Sequence, residues 1–150
     1  MERLKKEIIK ELNKNGRLSL MKSHYQHGNT SVYEHSLKVA DTSLRIAKIL
    51  RLKIDNYSLI RGALLHDYFL YDWHEKDKCH RWHGFKHPKT SYYNASNDYQ
   101  LNDKEKNIII RHMFPLTPIP PFYKESWIVC LADKYCALKE TLAPLLTKIN

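Results

Sequence analysis

Four residues in this 150-residue chain occupy positions that their neighbours reserve for apolar side chains: His35, the adjacent pair His66 and Asp67, and Asp133. Around the first, Val32, His35, Val39, Ser43, Ile46 and Leu50 recur at helical spacing. Around the pair, Leu59, Ala63, His66 and Leu70 share one row, with Ile60, Leu64 and Asp67 on the adjoining one. Around the last, Val129, Asp133, Cys136 and Ala137 align. A lone inward His reads most simply as a hydrogen-bonded core residue, and a lone inward Asp as a partly exposed ion pair. Several together read differently. An unpaired buried carboxylate costs roughly several kcal/mol, and two of them beside two imidazoles are most simply reconciled by a shared cation. Imidazole nitrogen with carboxylate oxygen suits Fe, Mn, Zn, Co or Ni.

Helices must position these groups. Leu4, Ile8, Ile9 and Leu12 form the stripe of a first helix that should end at Gly16 as a left-handed cap. The polar stretch SHYQHGNT follows as a loop. Ser31 and Glu34 form a capping box that opens the helix bearing His35. A third helix starts near Asp55 or Asn56 and runs to about Tyr71 or Asp72, placing His66 and Asp67 on its apolar face. Residues 71–87, rich in charge, His and Trp, read as a long ordered loop. His87-Pro88 has the look of a helix start, with that helix reaching about Asp98. Asn102 or Asp103 caps the next, which carries Ile108, Ile109 and His112. The prolines of FPLTPIPPF stop it, and a last helix spans about Lys124 to Thr141.

Composition agrees with an all-α, single-domain chain over residues 1–150: 4 Gly, 6 Pro and no alternating strand pattern. At this length a core forms without metal or disulfide staples, so stability alone does not demand a cation. No apolar run approaches the roughly 20 residues of a membrane span, and the start MERLKKEIIKELNK lacks the apolar stretch of a secretory signal. Three cysteines without paired spacing fit a reducing compartment. The expected location is therefore cytoplasmic, without a membrane partner. A net charge of +9 is spread along the chain rather than clustered, so nucleic acid is a weak expectation and attraction of a phosphorylated small molecule a better one. A homodimer is compatible with the sequence.

The ordered set in SVYEHSLKVA, RGALLHDYF and VCLADKYCAL resembles the HD-domain superfamily of metal-dependent phosphohydrolases, over about His24 to Leu138. The resemblance implies a compact HD-type helical bundle with the metal site between core helices. A two-metal subset adds two histidines before the last Asp. FKHPKTSYYNA is similar to its first motif, with Ser91 where Gly is often found, and IIIRHMFP supplies the second. The implied assignment is His35, His66, Asp67 and Asp133 on one divalent transition metal, with Asp67 bridging to a second on His87 and His112. His83 is the substitute for His87, ahead of His74 and His80. A separate structural zinc on Cys79, His80, His83 and His87 is a rival reading that lacks paired cysteines.

Such a site implies hydrolysis of a phosphate mono- or diester, with nucleotides the first substrates to test. Two cations about 3.5–4 Å apart would activate a shared water, and the metal-bound hydroxide would attack phosphorus. Asp72 is the candidate acid or water-orienting base, or else a helix-end carboxylate paired with Lys76 or Lys78. His27 either faces the pocket or fixes its loop. Arg111, Lys86, Lys89 and Arg81 could meet phosphate, and Tyr68, Trp73, Trp82 and Phe114 could form an aromatic wall. Relatives that cleave cyclic dinucleotides carry a Lys three residues after the His-Asp pair and a Gly-Tyr-Pro motif. Leu70 and HMFPLTPIPP stand there instead, so that substrate is not assigned. Two other functions share the ligand set: a di-iron oxygenase of the same superfamily, and a non-catalytic metal- or nucleotide-binding module.

Overall fold

A computed structural model of the chain describes residues 1–27, 30–71 and 83–146, without the side chains of 26, 27, 83 and 143–146. Six α-helices dominate: α1 (Glu2–Asn15), α2 (Val32–Ile49), α3 (Asn56–Leu65), α4 (His83–Asp98), α5 (Asp103–Arg111) and α6 (Lys124–Leu146). The fold is all-α, as its composition predicts. A 3-10 turn at Leu18–Ser23 follows α1. Next comes a two-stranded antiparallel ribbon, β1 (Tyr25–His27) with β2 (Thr30–Ser31), where the sequence predicts a plain loop. It is too short to show an alternating pattern.

Helix α2 is the hub, packed on both α3 and α6, while α5 joins α3, α4 and α6. One buried core runs from Ile8 and Leu12 of α1 through Leu59, Leu64 and Tyr68 to Ile108 and Val129. Being covered on two sides rotates and widens the buried arc of α2. Ser36, Ala40 and Ala47 are buried, whereas Leu50, predicted inward, is exposed and Ile46 only half-buried. The capping box at Ser31 forms, with the Ser31 hydroxyl accepting from the Glu34 amide and the Glu34 carboxylate accepting from the Ser31 amide. Asn102 and Glu105 repeat the device at α5. There Glu105 also receives Arg61 of α3 at 2.9 Å, a buried pair that ties α3 to α5.

Four other helix ends differ from expectation. Gly16 is extended rather than left-handed, and its value is room: a Cβ there would collide with the Tyr99 ring. α3 ends at Leu65, so His66 is its C-cap and Asp67 lies in the turn beyond. That turn closes on an amide–carbonyl bond from Tyr68 to Leu65, with Leu70 taking the left-handed conformation at φ 57°. From α4, Asn94 donates to the carbonyls of Tyr68 and Phe69, which the ended helix leaves open. α4 begins at His83, so 83–87 is helix rather than loop and Pro88 lies inside the helix, depriving the Gly84 carbonyl of its donor. α6 continues five residues past Thr141. Among the described residues no helix is long and apolar enough to cross a membrane.

Candidate metal centre

Five elements deliver one polar cluster into the core. His35 sits in the first turn of α2, His66 and Asp67 at the end of α3, His87 in the second turn of α4, His112 at the C-cap of α5 and Asp133 on α6. All six are buried. They fall into two groups whose ligand atoms lie within 4.8 Å of one another: His35, His66, Asp67 and Asp133 in one, Asp67, His87 and His112 in the other.

Asp67 belongs to both because its two oxygens face opposite ways. Oδ2 is 3.2 Å from His66 Nε2 and 3.9 Å from His35 Nε2. Oδ1 is 3.2 Å from His87 Nε2 and 3.5 Å from His112 Nε2. Asp133 Oδ1 closes the first group, 3.0 Å from His35 Nε2 and 3.6 Å from His66 Nε2.

The outer ring nitrogens explain which ring nitrogens converge on the interior. His66 Nδ1 donates to the Ala63 carbonyl and His112 Nδ1 to the Ile109 carbonyl, both at 2.8 Å and both three residues back. His35 Nδ1 uses a side chain, the Glu140 carboxylate at 2.9 Å, whose other oxygen accepts from Lys38. With Nδ1 committed outward, each Nε2 points to the interior, where it offers a lone pair to a cation once it gives up its proton. Among the described residues His66 Nε2 makes no aligned hydrogen bond, although Asp67 Oδ2 lies 3.2 Å away, and Nε2 of His87 and of His112 face each other at 2.8 Å. Ring nitrogens and carboxylate oxygens pointed at common centres suit a cation, so each group could hold a divalent metal.

Electrostatics agree. Burial alone would raise the Asp67 carboxyl, yet the imidazoles of His66, His112 and His87 hold it well below the usual carboxylate range. Asp133 is likewise held down against burial, by His35 and His66. His35 is pushed up to about 9, because Asp133 and Glu140 overrule the burial that would lower it. Burial pushes His112 down. Protons on imidazole thus supply the positive charge that the two carboxylates demand when no metal does.

Other predicted residues lie elsewhere. Tyr68 is fully buried, accepting from the Arg17 amide and donating to Asp98, so it is core and not pocket wall. Phe114 packs edge-on against Trp127. Arg111 ends α5 with its guanidinium 5.6 Å from the Phe122 ring centre, and Lys86 and Lys89 are exposed on α4 beside His87. Asp72, His74, Cys79, His80 and Arg81, with Trp73 and Trp82, fall outside the described residues, as do the side chains of His27 and His83. His87 faces Asp67 and His112. Glu140, Asn94 and Tyr71 were not singled out by sequence. Only Glu140 left a sign: it stands seven residues, two helical turns, after Asp133 and shares its face. Burial and the Asp67 charge push the Tyr71 hydroxyl up to about 12.

An all-α bundle with a buried carboxylate shared by two His/Asp groups defines a metal-site class of helical protein. The family model of the HD domain matches residues 32–138, and the chain belongs to the HD-domain superfamily. No curated protein and no solved structure matches it.

Proposed function

We propose that this chain, acting as one domain in the cytoplasm, hydrolyses a phosphate mono- or diester with two divalent metals, and that a nucleotide is the substrate class. The carrying observation is Asp67, whose two oxygens serve separate His-containing groups. His35, His66, Asp67 and Asp133 would hold one ion, and Asp67, His87 and His112 the other. Bound metals of this kind acidify water and polarise phosphoryl oxygens.

The chain's own residues do the remaining work. Asp67 and Asp133 offset the cationic charge, and the backbone and Glu140 bonds at Nδ1 keep His35, His66 and His112 aimed. Arg111, Lys86 and Lys89, each beside a ligand in sequence, would draw in the phosphate. Tyr71 keeps its proton to high pH and Asp72 is the next carboxylate along the chain, so either can protonate the departing alkoxide, a role worth about 10²–10⁴ in rate. His27 would orient water or substrate from the ribbon ahead of α2.

The test is a phosphoester and nucleotide panel with Mn²⁺, Fe²⁺, Ni²⁺ and Mg²⁺ on the wild type and Asp67→Ala. Hydrolysis by the wild type, read as phosphate from a monoester or as the monoester product of a diester, that disappears in the variant supports the proposal. Activity surviving Asp67→Ala overturns the mechanism. Substrate-dependent O₂ uptake without ester hydrolysis replaces it with an oxygenase, and ligand binding without turnover replaces it with a binding module.

A further inference from the structure

The outer face of α6 carries a second apolar stripe, turned away from the metal ligands. Trp127, Leu131, Tyr135, Leu138 and Leu142 are each 40–59 % exposed, and at 3.6 residues per turn they fall within roughly 80° of arc. Val129, Asp133 and Cys136, which face inward, lie on the opposite side. From Leu131 onward the spacing is four, three, four, that of a coiled-coil seam. Ile49 at the end of α2 is 73 % exposed and extends the stripe. A groove of about 360 Å³ runs between the two helices, lined by Thr42, Arg45, Ile46 and Ile49 of α2 and by Leu131 and Tyr135 of α6.

Partial exposure of these six large side chains places on the order of 600 Å² of apolar surface in one strip, the upper end for a monomer's largest patch. It approaches the ~800 Å² per partner of a standard stable interface. In a chain of net charge +9 and mean hydropathy −0.58, overall composition does not account for such a strip.

We infer that this face is the interface of a two-fold homodimer, with α6 packed against α6 of a second copy. An isologous contact needs a surface that complements itself, and here projecting leucines and a groove to receive them lie on the same face. Of the bordering cations, Lys134 is drawn off the face, donating to the His112 carbonyl at 2.8 Å. Lys139 lies 5.5 Å from the Tyr135 ring centre and Arg45 lines the groove, so like charge remains at the face for salt to screen.

Sedimentation velocity on the full chain tests this. A dimer with a dissociation constant below about 10 µM is expected. Raising NaCl from about 0.1 to 0.5 M tightens it, because residual like-charge repulsion is screened while apolar burial is not. Leu131→Glu and Leu138→Glu alter exposed positions, so each yields a monomer with unchanged helical circular dichroism and unchanged metal uptake. A wild-type chain still monomeric at about 100 µM overturns the inference, as does a dimer of equal strength in both variants. A monomer that co-sediments with phosphatidylglycerol vesicles also overturns it and assigns the stripe to lipid.

Discussion

Glu140 reaches His35 from 105 residues away and fixes which ring nitrogen points inward. Among the three histidines whose outer nitrogens have an assigned partner, His66 and His112 lean on backbone carbonyls that no substitution removes. His35 depends on a replaceable side chain. Outer carboxylates of this kind typically contribute 10–100-fold to metal affinity. Glu140→Ala should therefore weaken Mn²⁺ or Ni²⁺ binding by about that factor, with Glu140→Gln, which keeps an acceptor but not the charge, in between. Titration calorimetry reads this directly, and unchanged affinity in Glu140→Ala would remove Glu140 from the site. The six inner residues were legible because each departs from an apolar row or follows a known motif order. Glu140 was not, since a glutamate near a helix end is commonplace and its partner is remote. Tyr71 was equally silent: an aromatic at the end of an apolar run signals packing.

Helices were legible in number and start more than in their ends. Capping boxes and periodicity are local, and they located α2 and α5. The end of α3 was not local. No Gly or Pro follows Asp67 closely, and the chain instead stops the helix with a left-handed Leu70 and two hydrogen bonds from Asn94 on α4. Ending the helix at Leu65 frees Asp67 to face both groups of imidazoles. The spacing of α3 from α5 is set by Gly62. A Cβ there would collide with Ile108 Cδ1 and stand 3.1 Å from Ile108 Cβ. Two effects of Gly62→Ala oppose each other. Helix propensity favours Ala by about 1 kcal/mol, whereas overpacking a filled core costs roughly 1–3 kcal/mol. Because the contact reaches the Ile108 Cβ and not just a flexible tip, overpacking should win. Net destabilisation of up to about 2 kcal/mol is expected in urea unfolding, with weaker binding of the metal proposed for His112, which α5 carries. A more stable Gly62→Ala would show that α5 yields freely.

At the scale of the molecule, a polar staple holds the α1 end, the α3 turn and α4 together next to the site. Arg17 donates to both oxygens of Asp98 at 2.8 and 3.1 Å, while Tyr68, the residue after Asp67, donates to Asp98 and accepts from the Arg17 amide. No sequence pattern announces it, because its members lie up to 81 residues apart and each is ordinary alone. Burial would raise the Asp98 carboxyl, but Arg17 and Tyr68 hold it below its reference value of 3.8. A carboxyl depressed in the folded state stabilises above its unfolded value and loses that contribution as pH falls through the lower folded value. The staple therefore acts fully at neutral pH and is released only below about pH 4. Arg17 is half-exposed, so solvent screening limits the pair to about 1 kcal/mol or less. Urea unfolding between pH 7 and pH 3 should show Asp98→Asn less stable than wild type at pH 7, with the gap closing toward pH 3. Added salt should narrow the neutral-pH gap as well, since the guanidinium is open to solvent. A gap that stays constant across this range would mean that Asp98 acts through its shape and hydrogen bonds, with its charge contributing nothing.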